Sequence, residues 1–472
     1  MKRAIATTMI TMLLFGGSNV VGQKQKKKYE RPAIKTPDTF RGEAPAPDPN
    51  SIGDLKWFEV FKDPELQKLI QSAFVQNYDL RKAVARINAE RANVGLVRSN
   101  EFPTVVGTAD LTKTRLSNNG EAVGSGGKAK ARTFGDVLLN LLTFEIDIWG
   151  RLRQQTKAAR AELRASEEDR KGIMTTVVSD VATEYFSLLE LDAELNIARH
   201  TLATREDSLR IIKVRQEGGV ASMLDVRQAE ELVYQASQTV PDAERLISQT
   251  ENQISLLLGN SPGPIVRGPS LTDQQELPSV PLGLPSSLLE RRPDIRSAEE
   301  NLAAQHALVN AARAAYFPRL SLTGFFGFQS SSLANLFNGP GATWNFVPQL
   351  AQPIFLAGAL KSNVKLAQAQ REYALAQYQQ VIQAAFKEVS DALVQYRKVK
   401  EVRVQQELLV TTLRDRSRLS HLRYEGGVDT LLDTLDADRD LFAAELSLTQ
   451  TRRNELLALV QLYKALGGGW QQ

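Results

Sequence analysis

The sequence predicts an α+β fold in which very long helices carry short alternating strands, with the whole unit built twice in one chain. Three observations predict it. Residues 151–217 and 359–425 contain no proline and, between them, a single glycine, Gly172. Four shorter segments alternate apolar and polar side chains, the period of a strand. The same order of motifs also occurs in both halves.

The N-terminus comes first. Lys2 and Arg3 precede the apolar run AIATTMITMLLF, and small residues then lead to SNVVGQ. This order predicts a secretory signal over 1–22, cleaved after Gly22, and an exported chain. The basic run KQKKK at 24–28 reads as a solvated linker. No later stretch is apolar over the 18 or more residues of a membrane helix.

Composition excludes several classes. Lys and Arg total 58 against 54 Asp and Glu, leaving +4, too balanced for a nucleic-acid footprint. There is no cysteine, so no disulfide, thiol nucleophile or thiolate metal site is expected. His200, His306 and His421 lie far apart and form no metal-binding pair. DADRD at 436–440 resembles the start of a calcium loop, but Leu441 stands where that loop needs glycine. No phosphate-binding loop or GxSxG motif occurs. No catalytic site, metal or cofactor is expected.

The repeat follows from direct superposition. DLRKAVARINAERANVGLVRSNEFP (79–103) aligns with DIRSAEENLAAQHALVNAARAAYFP (294–318) at an offset of 215. Gly218-Gly219-Val220 aligns with Gly426-Gly427-Val428, and Leu258-Gly259 with Leu466-Gly467, both at 208. Each half runs helix, strand pair, long helix, glycine break, second long helix. At ~1.5 Å per residue each uninterrupted run reaches roughly 100 Å, too long for a compact globule. Ile173, Val177, Val181, Leu188, Leu191 and Leu195 step at helical spacing, as do Val381, Ala385, Val389, Ala392, Tyr396 and Val399. The remaining positions are polar, so these helices keep a wet face.

The strands are argued from parity. Val105, Ala109 and Leu111 alternate with polar residues, as do Leu320, Leu322, Phe326 and Phe328. Phe134, Leu138, Leu142, Phe144, Ile146 and Ile148 share one parity, and so do Trp344, Phe346, Leu350 and Ile354. Pro348 and Pro353 predict a bulge or an early end in the fourth segment. Strands of about 9–11 residues suit a tilted membrane crossing, and they equally suit a small soluble sheet covered by helix. If they cross a membrane, four strands cannot close a barrel, and lipid tolerates no open edge. Several chains must then pool their strands.

SSLLERRPDIRSAEENLAAQHALVNAARAAYFPRLSLTG, PQLAQPIF, RYEGGVDTLLDTLDADR and LVQLYKALGGGW closely resemble the TolC/OprM-like outer-membrane efflux proteins, over about residues 57–470. The resemblance implies a homotrimer with a twelve-stranded outer-membrane β-barrel, four strands per chain, continuous with a long periplasmic α-helical barrel. It implies a passive exit duct for drugs or other small molecules, joined through a periplasmic adaptor protein to an inner-membrane transporter of the resistance–nodulation–division class. A type I protein-secretion duct or a metal-efflux duct has nearly the same sequence pattern. A periplasmic coiled-coil scaffold accounts for the helices but not the strands. On this architecture 23–78 is a linker and equatorial segment, 79–285 the first repeat, and 286–472 the second, ending in its own equatorial segment. Many members of this branch carry a lipid-anchored cysteine after the signal. This sequence has none, so no acyl anchor is expected.

By the same resemblance, Gly218, Gly219, Val220, Gly426, Gly427 and Val428 form the periplasmic hairpin tips and adaptor contacts. Val105, Ala109, Leu111, Leu138, Leu142, Phe144, Leu320, Leu322, Phe326, Phe328, Trp344 and Phe346 face the outer-membrane lipid. Leu432 and Asp436 occupy constriction-ring positions, Arg439 a restraining one, and Asp433 that of a second gate acid. Leu224 and Asp225 are their first-copy counterparts. Helical spacing puts Leu432, Asp436 and Arg439 on one face, and Asp433, Asp436 and Asp440 on another. An acidic helix start favouring the helix dipole accounts for part of the same row. Asp438 and Asp440 read as solvated.

Overall fold

The computed structural model describes residues 29–32, 51–115, 117, 131–274 and 285–471. The expected signal segment 1–22, residues 33–50 of the linker and the loop 118–130 lie outside the described residues. The main elements are α1 (Pro64–Gln76), α2 (Tyr78–Ser99), β1 (Val105–Thr114), β2 (Arg132–Ile146), α3 (Arg151–Glu217) and α4 (Met223–Leu257). They continue with α5 (Pro293–Ala314), β3 (Arg319–Ser330), β4 (Ala342–Ala351), α6 (Ala359–Glu425) and α7 (Leu431–Ala465). Helices occur in pairs of equal length: α2 and α5 have 22 residues, α3 and α6 have 67, α4 and α7 have 35.

The chain divides into two compact units that cut across its halves. Of the described residues, one holds those within 1–33, 97–158 and 303–371, and the other those within 34–96, 159–302 and 372–472. The first holds a single four-stranded antiparallel sheet in the order β1-β2-β3-β4. Its register sorts the side chains onto two faces. Val105, Ala109 and Leu111 lie opposite Leu141, Val137 and Gly135. The same face continues through Leu139 with Phe326, Val137 with Phe328, Phe326 with Trp344, Gly324 with Phe346 and Leu320 with Leu350. The other face carries Thr108, Asp110, Asn140, Ser321, Thr323, Asn345 and Gln349. There, Asn140 Nδ2 donates to Thr108 Oγ1 at 2.9 Å.

The parity expected for β2 fails at one point. Leu141 pairs with Gly324, but the next pair is Phe144 with Leu322, so β2 holds one extra residue. This β-bulge reverses the alternation, because a one-residue slip moves every later side chain to the other face. Phe144 and Ile146 therefore share the apolar face with Val137, Leu139 and Leu141, while Leu138 lies opposite Thr108 and Gly327 on the polar face. Leu142 sits inside the bulge and lines a polar-side concavity with Leu138, Asn140 and Thr323. Leu138 and Leu142 thus do not belong with the other apolar-face residues. Pro348 causes no bulge: it pairs with Leu322 in unbroken register on an edge strand, where a missing N–H is tolerated, and β4 ends at Ala351 before Pro353.

The second unit is helical, and its core explains the conspicuous motifs. Asp63 caps α1, accepting the Glu65 and Leu66 amides at 2.9 and 3.3 Å. The same carboxylate accepts from the buried Tyr185 hydroxyl at 2.8 Å, and burial pushes that hydroxyl's pKa well up. In ERRPD, Arg291 pairs with Asp54 at 2.6 Å. Arg292 is buried and reaches Asp294 at 2.7 Å, Glu388 of α6 at 2.8 Å and the Ala465 carbonyl at the end of α7 at 3.0 Å. One guanidinium therefore joins three helices. The heptad-like positions on α3 and α6 named from the sequence are all buried or half-buried.

Candidate gate at the helix hairpins

Each glycine break is a turn between two long helices. Gly219 and Gly427 have φ of 76° and 73°, the left-handed conformation that glycine adopts without penalty. The bonds around them match. Val220 N–H donates to the Arg215 carbonyl at 2.8 Å, and Gly219 N–H to Gln216 at 3.0 Å. In the second turn, Val428 donates to Arg423 at 2.9 Å and Gly427 to Tyr424 at 3.0 Å. Both are Schellman stops, in which the left-handed residue lets the chain satisfy the last carbonyls of the helix. A Cβ at Gly219 or Gly427 meets nothing within 4 Å, so conformation rather than space requires glycine.

The helices restart through matching caps. The Ser222 hydroxyl accepts the Asp225 amide at 3.2 Å, and the Asp225 carboxylate accepts the Ser222 amide at 2.7 Å. Thr430 and Asp433 repeat this capping box at 3.4 and 3.2 Å. Asp225 and Asp433 are thus placed by a local helix-start requirement. The patterns S-x-x-D and T-x-x-D carried that signal in the sequence.

Beyond the caps the two hairpins differ. The Arg423 guanidinium grips Asp429 at 2.6 and 2.8 Å, holding its carboxyl below the usual range. Position 221 in the first hairpin is alanine, and Arg215 lies instead over the Tyr424 ring, 5.1 Å from its centroid. Asp436 and Arg439 form an ion pair at 3.0 Å along one face of α7. Leu432 and Leu224 are exposed, 49% and 65%.

Asp438 and Asp440 are not free in solvent. Asp438 accepts from Ser417 Oγ at 2.6 Å and contacts His421 Nε2 at 2.9 Å, joining α7 to α6. That pairing raises the His421 pKa above its ordinary value. Arg416 holds Asp440 at 2.8 Å. Nothing in the local spacing of DADRD reveals these partners, which sit on a different helix. Among the described residues, no group of acids and histidines is arranged to hold a metal, and no helix is long and apolar enough to cross a membrane.

A sheet with one apolar and one polar face, joined in sequence to paired long helices with acid-bearing turns, defines the class of β-strand and helix channel subunits. The family model for outer membrane efflux proteins matches residues 69–260 and 284–468, and the chain belongs to that family. It is 36% identical to the probable efflux pump outer membrane protein TtgC of Pseudomonas putida, over 100% of this chain and 97% of that one. It is 35% identical to outer membrane protein OprJ of Pseudomonas aeruginosa, over 94% and 92% of the two chains. The open-state Neisseria gonorrhoeae MtrE outer membrane channel superposes with a TM-score of 0.86 at 31% identity, covering 94% of this chain and 98% of that one.

Proposed function

We propose that this chain is the outer-membrane exit duct of a tripartite efflux system, passing drugs or other small molecules from an inner-membrane transporter through a periplasmic adaptor. The observation that carries this reading is the family match, which spans both halves of the chain. Relatives named as efflux pump outer membrane proteins support it along nearly the full length. The sheet supports it independently. β1 and β4 are open edges, and an apolar face backed by a polar one is the pattern of a strand wall between lipid and water.

Three chains would then close a twelve-stranded barrel in the outer membrane. Val105, Ala109, Leu111, Phe144, Leu320, Leu322, Phe326, Phe328, Trp344 and Phe346 would face lipid, with Val137, Leu139 and Leu141 in the places first expected for Leu138 and Leu142. The six hairpin turns of the trimer form the periplasmic end and meet the adaptor through Gly218–Val220 and Gly426–Val428. Leu432 and Asp436 form the constriction, with Arg439 restraining Asp436 from one helical turn away. Asp433, Asp225 and Leu224 border it. Rings of carboxylates repel anions and admit cations.

Single-channel conductance in planar bilayers tests this. The unsubstituted protein should give a small, cation-selective current, and Asp433→Ala/Asp436→Ala and Arg439→Ala should each raise it sharply. Equal currents in all three would remove these residues from the gate. No current from any folded oligomer would overturn the duct itself.

A further inference from the structure

Among the 67 residues of α3, only Gly172 is a glycine. Glycine in a helix interior weakens the helix, so its place there needs a cause. Neither usual cause applies. Its φ is not positive, and a Cβ built on it would meet only the Pro293 Cβ, at 3.9 Å, an ordinary contact. What the missing side chain leaves is space. Gly172 lies in the wall of a cavity of about 710 Å³, a size that suits a drug-sized molecule.

The cavity lies on the face of α3 that turns away from the core of the helical unit. Asp169, Gly172, Thr176 and Asp180 step along that face by three and four residues. The opposite stripe, Met174, Val178, Val181 and Tyr185, is buried. Other helices complete the walls: α2 contributes Lys82 and Arg86, the start of α5 Asp294, and the end of α7 Lys464. Ile173, Val177 and Leu257 make part of the lining apolar.

Its charges are of two kinds. Lys82 holds Asp79 at 2.6 Å, and Arg292 holds Asp294 at 2.7 Å. Asp169, Asp180, Arg86 and Lys464 line the same space, yet their side chains make no hydrogen bond or ion pair among the described residues. Burial pushes the Asp180 pKa up, and Lys464 opposes this from a distance without bonding to it. The second repeat lacks the arrangement. There Asp169 and Gly172 become Gln377 and Gln380, Lys82 and Arg86 become Ser297 and Asn301, and Asp180 becomes Glu388, which holds Arg292 at 2.8 Å. Since α6 is as long as α3 without these groups, the helix itself does not require them.

We propose that this cavity binds a zwitterionic small molecule, its ammonium at Asp180 and its carboxylate at Lys464, and that such molecules are cargo held briefly on their way along the duct. The proposal rests on the duct reading above, under which the face of α3 away from its core lines the channel. A simple cation would leave Lys464 unanswered, and a simple anion would leave Asp180 so. A molecule carrying both charges on an apolar body answers both and covers Ile173, Val177 and Leu257. Asp180 and Lys464 are half-buried and Arg86 is exposed, so the new ion pairs stay partly solvated and the cargo is released readily.

Ciprofloxacin, which is fluorescent and carries a piperazinium and a carboxylate, is the probe, beside its methyl ester (cation only) and its N-acetyl derivative (anion only). Fluorescence anisotropy with the full chain in lipid discs, against empty discs, should show ciprofloxacin binding about tenfold tighter than either derivative, the value of one charged hydrogen bond. Asp180→Asn should cost about tenfold for ciprofloxacin and the ester but spare the N-acetyl compound, and Lys464→Gln should do so for ciprofloxacin and the N-acetyl compound but spare the ester. Gly172→Gln installs the second repeat's residue and should fill the space and abolish binding. Glutamine favours a helix more than glycine does, so this variant should keep the fold, which sizing of the oligomer checks. In planar bilayers, ciprofloxacin should interrupt the current of Asp433→Ala/Asp436→Ala in brief blockades, and adding Gly172→Gln should remove them. Equal binding of the three compounds, or an unchanged affinity in Gly172→Gln, would overturn the site. Binding without blockades in a conducting channel would overturn its place on the cargo path. A folded oligomer that carries no current in any variant would overturn the duct reading, while the anisotropy measurements would still decide the site.

Discussion

Asp438 makes contacts that helix geometry alone does not give it, and they lead to a pH dependence. His421 gains its proton affinity chiefly from the hydrogen bond to Asp438, against a smaller opposing effect of burial. A raised folded-state pKa means that the pair's contribution is fully present below the unfolded value of about 6.5 and is lost as pH rises through the folded value. An NMR titration of the three histidines should place the His421 midpoint above 6.5, and Asp438→Asn should bring it down. An unmoved midpoint would mean the contact does not persist in solution. Glycine at 427 gives a second residue-scale expectation. Gly427→Ala must hold a Cβ at positive φ, at a cost of about 1 kcal/mol, or about fivefold in local opening. Hydrogen exchange at the Val428 amide should accelerate accordingly, while Gly426→Ala, whose φ is not positive, should change it less. Residue chemistry was only partly legible in the sequence. The cap at Asp433 needs three neighbouring letters, whereas the partners of Asp438 lie 17 and 21 residues away on another helix.

At the scale of elements, the long helices were readable because nothing interrupts them. Absence of proline and a steady apolar stripe bound α3 and α6 at the residues where the structure starts and ends them. Strand β2 was not readable to the same degree, since a single extra residue between Leu141 and Phe144 has no compositional mark and yet reverses the face of half the strand. The bulge keeps Phe144 and Ile146 on the apolar face and Glu145 on the polar one, where it binds Arg151 at the start of α3 through bonds of 3.1 and 2.7 Å. Deleting Leu142 takes out the extra residue and leaves Phe144 opposite Leu322, so Glu145 stays on the polar face. The expected result is a heat-resistant oligomer on gels from this variant, as from Leu142→Ala, which keeps the bulge. Loss of the oligomer from the deletion alone would show that the bulge itself, and not only the faces of Phe144 and Glu145, is required.

For the whole molecule, the division into two units has a consequence for assembly. The helical unit has its own buried core, with Tyr185, Leu188, Ile254, Ile382 and Tyr463 almost wholly enclosed within one chain. The sheet has no such core, because its apolar face is open: Trp344 is 74% exposed and Phe346 61%. On the proposed barrel reading, lipid on one side and other copies at the β1 and β4 edges complete it, so insertion and closure of the sheet should be one event that the helices do not need. Trp344→Asp/Phe346→Asp makes insertion unfavourable, since charges facing lipid cost about 2–4 kcal/mol each near the bilayer midplane, with acids at the lower end. This variant should remain in the soluble fraction with a far-ultraviolet circular dichroism spectrum still dominated by helix, and it should form no detergent-resistant trimer. Asn345→Asp, between the two on the polar face, should insert and assemble normally. If the double variant lost its helical signal as well, the helices would depend on the sheet for folding, and independent formation of the helical unit would be wrong.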